Sequence, residues 1–485
     1  MQMTASRRSF VKGAALGVAG VAASMGISRS ARADETDFAA SYDVVVVGAG
    51  GAGLFAALEA QEQGLSVIVL ESEENVMPNT TFSEGYVTLC ETEMQPAGRE
   101  QLYEDLLAAS DYDCQEDLVQ AYVDNAGEVY TKLVETVGVE FERLDQVAHQ
   151  SVPWTHYCVS GAYIIQPLLE ILEGRGVEVL TSSRVTRLVQ DADRRVVGVM
   201  LEDGTTAYGA NKGVVLATGD FTRNPALIKN FGSRGSERIV PKSSMGNRGD
   251  GHIMGMFAGA DTSYMCAGIA PTGTIGVQSG DWATTFLQCS CMVVSMEGRR
   301  FHDESDNYVG IMQDAMALDS DITFQILDAG DLKDYLDTCV ISATKEPMIS
   351  ADTIEGLADA IKAEYPDFNV ENFLDEHARY NRFIANGLDE DFGRAHIVGI
   401  VGDLSPIDEA PFYAIPCRLG ADHFSSGLKI DPECHVIDMF GDQIPGLYAA
   451  GMVAGGLSSW NYMSGTCVGR ALIQGMVAAR AIAGE

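Results

Sequence analysis

The chain has 485 residues, 46 % of them apolar, and carries 32 Lys+Arg against 69 Asp+Glu, a formal charge of −37. That length supports two large lobes with their own cores, and length alone also permits three. The acidic surface repels nucleic acid and anionic lipid; it would steer a basic partner such as a small cytochrome, or serve only solubility. None of the ten cysteines forms a C-x-x-C or C-x-x-C-H pair, and Cys289-Ser290-Cys291 is the only close pair. Haem attachment and a ferredoxin-type cluster therefore lack local support, and most of the cysteines read as buried thiols.

The N-terminus reads as an export signal. Ser6-Arg7-Arg8-Ser9-Phe10-Val11-Lys12 is a twin-arginine pattern, a weakly apolar run follows from Gly13 to Ile27, and Ala31-Arg32-Ala33 offers an A-x-A cleavage site. The run is shorter than the roughly 20 residues that span a bilayer. Cleavage after Ala33 would remove five basic residues (Arg7, Arg8, Lys12, Arg29, Arg32) and no acidic one. It would leave 452 residues with a formal charge of −42. The expected location is periplasmic or otherwise extracytoplasmic.

Next comes a strand, helix and strand. Tyr42 to Val47 is an apolar, β-branched run, Gly48-Ala49-Gly50-Gly51-Ala52-Gly53 follows, and Leu54 to Gln63 is apolar-periodic. Gly64 ends that helix, Leu65 to Leu70 is a second strand, and Glu71 closes it. Gly48 permits a tight turn, Gly50 lets the backbone approach a pyrophosphate, and Gly53 lets the helix pack on the strand. Glu71, 18 residues past Gly53, can accept hydrogen bonds from a ribose diol. Alone, this fingerprint promises a dinucleotide without separating FAD from NAD.

Further along, Val185 to Leu201 reads as a β-ribbon turning at Asp191–Arg195, and Gly213-Val-Val-Leu-Ala-Thr-Gly219 reads as a strand. Gly249-Asp250-Gly251 follows. Ile444-Pro-Gly-Leu-Tyr-Ala-Ala-Gly451 is another strand, and a glycine-rich segment from Gly455 to Gly469 opens a final helix to Ala483. In order and spacing these segments resemble the flavoprotein family of fumarate reductases and ketosteroid dehydrogenases across nearly all of the chain. The resemblance implies an α/β fold, with a Rossmann-like FAD-binding domain carrying an inserted α+β capping domain. It places the signal at 1–33, the FAD-binding domain at 34–270 and 422–485, and the cap at 271–421. It implies FAD contacts by Gly48, Gly50, Gly53, Glu71, Asn79, Thr80, Gly85, Val185, Ala217, Thr218, Gly219, Asp250 and Gly451, with Gly465 near the pyrimidine ring. Asp220 stands where a third glycine is usual, and Met452 where the family often has an acid. The histidine that carries covalent FAD in some members is absent from Pro78-Asn-Thr-Thr81, which implies a non-covalent flavin.

Fumarate reductases grip their dicarboxylate with two arginines and two histidines. Laid against those four positions, this sequence has Ala270, Tyr308, Asp422 (with His423 beside it) and Tyr462. The anion-binding groups are replaced, so fumarate is not the expected substrate. Tyrosines at two of these places resemble the ketosteroid dehydrogenases. By that resemblance Tyr308 is the acid/base, and Tyr462 with the Gly465 N–H polarises a carbonyl. The segment after Tyr462 is one residue shorter than the ketosteroid pattern. Tyr157 is a third candidate. His156, His302 and His423 have no metal-ligand spacing and read as structural, and Arg299 and Arg300 as partners of nearby acids such as Asp303 and Glu304.

The expected activity is hydride transfer at flavin N5 to or from a C=C bond conjugated to a carbonyl, in an apolar enone or ketosteroid-like substrate. Fixed donors at the carbonyl oxygen would hold the enolate charge. A phenol, with an unperturbed pKa near 10, is protonated and able to donate. A reductase of an unsaturated acid of the aryl acrylate type, which needs a cation in the pocket, is one alternative. A flavin electron carrier is the other. There is no second nucleotide fingerprint and no fused haem motif, so a separate cytochrome or membrane quinol-linked protein would exchange the electrons.

Overall fold

An edge strand β1 (Ala31–Arg32) and the long strand β2 (Ala40–Val47) lead to helix α1 (Gly51–Glu62) and strand β3 (Val67–Leu70). Val44 to Val47 and Val67 to Leu70 are all buried, as strands covered on both faces must be. Helix α1 begins three residues before the apolar period of the sequence, inside the glycine run, and Gly51 to Ala60 are all buried. These features come from a computed structural model. It describes residues 30–147, 149–232, 235–265, 273–278, 290–305, 308–338, 347–394, 404–459 and 461–485.

The chain divides into two compact units. The first comprises Met1–Gly232, Ser243–Ile269 and His423–Glu485, and the second Ser233–Lys242 and Ala270–Asp422. The short excursion of 233–242 has no counterpart in the sequence reading.

In the first unit, β4 (Tyr86–Thr88), α2 (Arg99–Ala109), α3 (Glu116–Lys132), β5 (Arg143–Asp145), β6 (Thr155–Tyr157) and α4 (Ala162–Gly174) come next. They precede β7 (Glu178–Leu180), β8 (Val185–Gln190), β9 (Val196–Leu201) and β10 (Ala207–Leu216). The main sheet runs β1-β8-β9-β10-β2-β3-β7. Strands β2, β3 and β7 pair in parallel, whereas β8 and β9 form the antiparallel ribbon legible in the sequence. Strand β10 changes role along its length. One edge runs parallel to β2 from Tyr208 to Leu216, with a register shift between Ala210 and Gly213. The other pairs antiparallel with β9 through Ala207–Gly209 and then parallel with β20 (Gln443–Ala449) through Val214–Leu216. The edge strand β1 lies parallel to β8 through Ala31↔Val189, so the expected processing site is engaged in strand pairing in the uncleaved chain.

After β11 (Val240–Pro241) in the second unit, the chain returns to the first for α5 (Asp250–Ala258) and β12 (Thr262–Ser263). The second unit then builds β13 (Gly273–Gly276), β14 (Met292–Ser295), α6 (Tyr308–Ala317), β15 (Thr323–Leu327), α7 (Ala329–Thr338) and β16 (Ile349–Ala351). Helices α8 (Ile354–Glu364) and α9 (Val370–Asn386) and strand β17 (Phe412–Ala421) complete it. Its sheet is ordered β11-β17-β15-β14, with β13 and β16 also on β17. Phe324, Leu357, Ile361, Phe368, Phe373 and Tyr380 fill its core, all fully buried. The arginine pair behaves differently from its sequence reading. Arg300 binds Glu304 as expected but also Asp389, and Arg299 reaches Asp375 and Glu376 rather than Asp303.

The first unit closes with β18 (Gly427–Leu428), β19 (His435–Ile437), β20 (Gln443–Ala449) and α10 (Thr466–Gly484). Strand β20 joins the main sheet parallel to β10. Helix α10 crosses α1 closely enough that a Cβ on Gly475 would stand 2.3 Å from the Ala52 carbonyl oxygen. No helix among the described residues is long and apolar enough to cross a membrane.

Candidate functional site

The turn between β2 and α1 opens into a cavity of the first unit, lined from β2, α1, β3 and α10. Of the residues expected to hold the cofactor, Gly48, Gly50, Glu71, Asn79, Thr80, Val185, Ala217, Thr218, Gly219, Asp250 and Gly451 line it. Gly53, Gly85 and Gly465 do not. The structure gives each of these three a packing role instead. A Cβ on Gly53 would stand 1.9 Å from the Gly48 carbonyl oxygen, one on Gly85 2.5 Å from the Ser160 nitrogen, and one on Gly465 2.6 Å from Thr88 Oγ1.

Gly50 differs from its neighbours. Its φ of −81° suits any residue, and a Cβ there would meet only Pro78, at an ordinary 3.6 Å. Neither backbone nor packing requires glycine, so the space belongs to something that approaches the chain from the cavity. Thr218 Oγ1 points the same way, since it is buried, on the cavity lining, and without a hydrogen-bond partner among the described residues. Buried hydroxyls left unpaired cost about 1–3 kcal/mol, which a bound polar ligand would offset. The start of α1, whose first N–H groups have no intrahelical acceptor, suits a phosphate.

The acid at the end of β3 is fixed before any ligand arrives. Glu71 accepts from the Ala49 N–H at 2.9 Å and from the Glu73 N–H at 3.0 Å. Thr80 Oγ1 accepts from the Gly51 N–H at 3.3 Å, and Asn79 Oδ1 from the Ser244 N–H at 2.5 Å. Asp250 lies on the lining, but both its carboxylate oxygens are taken by Arg184, at 2.8 and 3.0 Å. Its first role is therefore to hold Arg184 on the wall. Arg184, Ser72, Ser244 and Asn247 also line the cavity and were missed in the sequence, and Met452, which stands where the family often has an acid, lines it too. Arg184 had a signal, since it directly precedes the ribbon that Val185 opens.

The candidate catalytic residues are distributed over both units. Tyr308 is the first residue of α6 in the second unit, and its side chain lies outside the described residues, as do Ala270 and Trp460. Tyr157, Tyr462 and Gly465 belong to the first unit. Tyr157 is buried on β6, its ring tilted against that of Tyr86 with centroids 5.3 Å apart, and the Arg143 guanidinium lies 3.6 Å over its ring. Arg143 is in turn held by Asp145. Thr88 ties this small sheet to the start of α10, since its N–H donates to the Gly465 carbonyl and its hydroxyl to the Ser464 carbonyl. Gly465 takes a φ of +84° as the N-cap of α10.

Tyr462 is half-buried, and its ring meets His423 edge to face at 4.9 Å. His423 Nε2 lies 3.3 Å from Cys467 Sγ in the first turn of α10. The structural reading of His423 is thus incomplete: it sits beside a candidate catalytic residue. His156 fits that reading well, bonded to Thr92 Oγ1 and the Trp154 carbonyl, with burial pushing its pKa down to about 4. His302 bonds Asp314.

The FAD binding domain family matches residues 43–468. The chain belongs to this family of flavoproteins. The flavoprotein is 28 % identical to the vinyl phenol reductase of Lactiplantibacillus plantarum, over 90 % of this chain and 95 % of that one. In three dimensions it resembles a flavocytochrome c3 fumarate reductase in its open conformation, with a TM-score of 0.77 and 25 % identity over 92 % of this chain and 79 % of that one. It also resembles the 3-ketosteroid-delta4-(5alpha)-dehydrogenase of Rhodococcus jostii, with a TM-score of 0.74 and 25 % identity over 94 % of this chain and all of that one. Its cofactor is FAD, and it is an FAD-dependent oxidoreductase. The cavity of the first unit, with its phosphate-ready turn, its fixed Glu71 and its orphaned Thr218 hydroxyl, fits that cofactor.

Proposed function

We propose that this flavoprotein reduces a C=C bond conjugated to a neutral oxygen function, an enone carbonyl or a phenol, in a fairly apolar substrate. The observation that carries this reading is Tyr462. It stands where fumarate reductases carry a carboxylate-binding arginine, and it is half-buried against His423 beside the opening of α10. A phenol there can donate to a neutral oxygen on which charge builds up during reduction, but it cannot neutralise a carboxylate. The likeness to a vinyl phenol reductase and to a ketosteroid dehydrogenase supports the same class of substrate.

Gly48 to Gly51, Glu71, Thr80 and Thr218 would bind FAD, and FAD when bound supplies the two-electron chemistry. Tyr462 would hold the substrate oxygen together with the Gly465 N–H, and Tyr308 would move the proton. In this proposal the electrons reach the cofactor from a separate cytochrome or quinol-linked partner, and the chain works outside the cytoplasm after twin-arginine export.

The test is reoxidation of the chemically reduced, air-free holoprotein by a panel of a cyclic enone, a 4-vinylphenol, an aryl acrylate and fumarate. Oxidation by the first two supports the proposal. Oxidation by the carboxylates alone would replace it with the unsaturated-acid reading, and oxidation by none of the four would favour an electron carrier.

A further inference from the structure

Among the described residues three arginines are almost completely buried, and two of them face carboxylates. Arg300 binds Glu304 and Asp389, and Arg394 lies 3.8 Å from Glu304. The third, Arg470 on α10, is 2 % exposed and has no carboxylate within ion-pair distance among the described residues. Its Nη2 meets the thioether sulfur of Met452, and its Nε and Nη1 have no hydrogen-bond partner. The groups that act on it electrostatically are Cys467, Tyr122 and Asp220. Guanidinium does not give up its proton in proteins, and a buried ion without a counter-charge costs several kcal/mol. An unpaired buried cation therefore marks a missing anion.

The missing anion lies on the cavity side. Met452, the residue that Arg470 touches, and Ala471, its neighbour on α10, both line the cavity. The position along α10 says which part of the cofactor is near. Helix α10 crosses the phosphate-binding end of α1 at Gly475, where a Cβ would meet Ala52. Arg470 lies five residues closer to the helix N-terminus, about 7 Å along the axis, and helical side chains lean further in that direction. The guanidinium is thus displaced from the pyrophosphate turn towards the opening of α10, next to Met452 and Cys467.

We propose that Arg470 is the counter-charge of the reduced flavin. An isoalloxazine that takes up two electrons and one proton carries a net negative charge, spread over its N1–C2=O edge. A fixed cation in a dry site favours that charged form over the neutral oxidised one. Arg470 then acts as a positioning residue for the cofactor and raises its reduction potential, whichever substrate the enzyme uses.

The test compares Arg470→Met and Arg470→Lys with the parent as purified holoproteins, measuring FAD affinity and the two-electron midpoint potential against a reference dye. Arg470→Met should lower the potential by at least about 30 mV, a tenfold loss of preference for the reduced cofactor, and Arg470→Lys should recover most of that loss. An unchanged potential in Arg470→Met would overturn the proposal. So would an equal loss of affinity for oxidised and reduced FAD, which would assign the cation to the pyrophosphate. The melting temperature of the cofactor-free proteins gives an independent readout. Without a protein partner to abandon, cofactor-free Arg470→Met should be at least as stable as the parent. A loss matching a broken buried ion pair would show that Asp220 already neutralises the arginine, and would also overturn the proposal.

Discussion

Tyr462 and His423 stand with ring centroids 4.9 Å apart and planes at 82°, and His423 Nε2 lies 3.3 Å from Cys467 Sγ. Phenylalanine at this position keeps the ring that meets His423 and removes only the phenol oxygen. Tyr462→Phe should keep FAD affinity unchanged. Reoxidation of the reduced enzyme by an enone or a vinylphenol should slow by about 10²–10³-fold, the usual loss for one oxyanion donor. Rapid-mixing absorbance at the flavin band measures it. Parental rates in the phenylalanine variant would remove Tyr462 from the chemistry.

The glycines of the first turn separate fold from function. Gly53→Ala forces a methyl to 1.9 Å from the Gly48 carbonyl, so the backbone must move and the cofactor-free protein should lose about 1–3 kcal/mol. Gly50→Ala meets only Pro78 at 3.6 Å, and its melting temperature without FAD should match the parent. Its FAD dissociation constant should nevertheless rise at least tenfold, about 1.4 kcal/mol. Isothermal titration with FAD distinguishes the two. Equal affinity in Gly50→Ala would mean that nothing approaches the chain at this position.

Much of the first unit is legible in the sequence because its signals are local. Val44–Val47, the glycine turn and Glu71 are consecutive, and the β8–β9 ribbon carries its own turn at Asp191–Arg195. The departures arise where side chains from distant segments meet. Arg184 was passed over because its partner Asp250 is 66 residues away. His423 was read as structural because nothing near it in sequence shows that Tyr462 and Cys467 arrive beside it. Arg470 carried no motif at all, since its oddity is the absence of a carboxylate, which only packing reveals. Gly465 was expected at the cofactor, yet the close approach of Thr88 is sufficient reason for a glycine there.

His156 should make the first unit sensitive to acid. Burial holds its pKa at about 4 against an ordinary 6.5, so between those values the unfolded chain binds a proton that the folded one refuses. The stability it confers is complete above pH 6.5 and is lost as the pH falls towards 4, by up to about 3 kcal/mol. His252, fully buried on α5, is pushed down to about 4 as well and acts in the same direction. Urea midpoints at pH 7, 6 and 5 should fall steadily, and His156→Asn should flatten the slope by removing one of the two protons. An unaltered slope in that variant would show that His156 is hydrated or charged in the folded state.

Asp331 should work in the opposite direction in the second unit. It is buried at the start of α7, and burial together with the adjacent Asp328 carboxylate raises its pKa to about 8. Asp328 itself accepts the backbone N–H groups of Gly330, Asp331, Asp408 and Glu409, so the protein's donors are spent on one acid and the other keeps its proton. The folded state holds that proton more tightly than the unfolded chain, whose carboxyl titrates near 3.8. The contribution of Asp331 is therefore least unfavourable below pH 3.8 and worsens as pH rises towards 8, to at most about 6 kcal/mol. Asp331→Asn removes the titration and keeps an amide able to replace the two long contacts of 3.4 Å to the Asp328 N–H and the Ser405 hydroxyl. The variant should be more stable than the parent at pH 8 and nearly equal to it at pH 4, read as the difference in denaturant midpoint at the two values. A variant destabilised by the same amount at both would mean that Asp331 is ionised and paired in the folded protein.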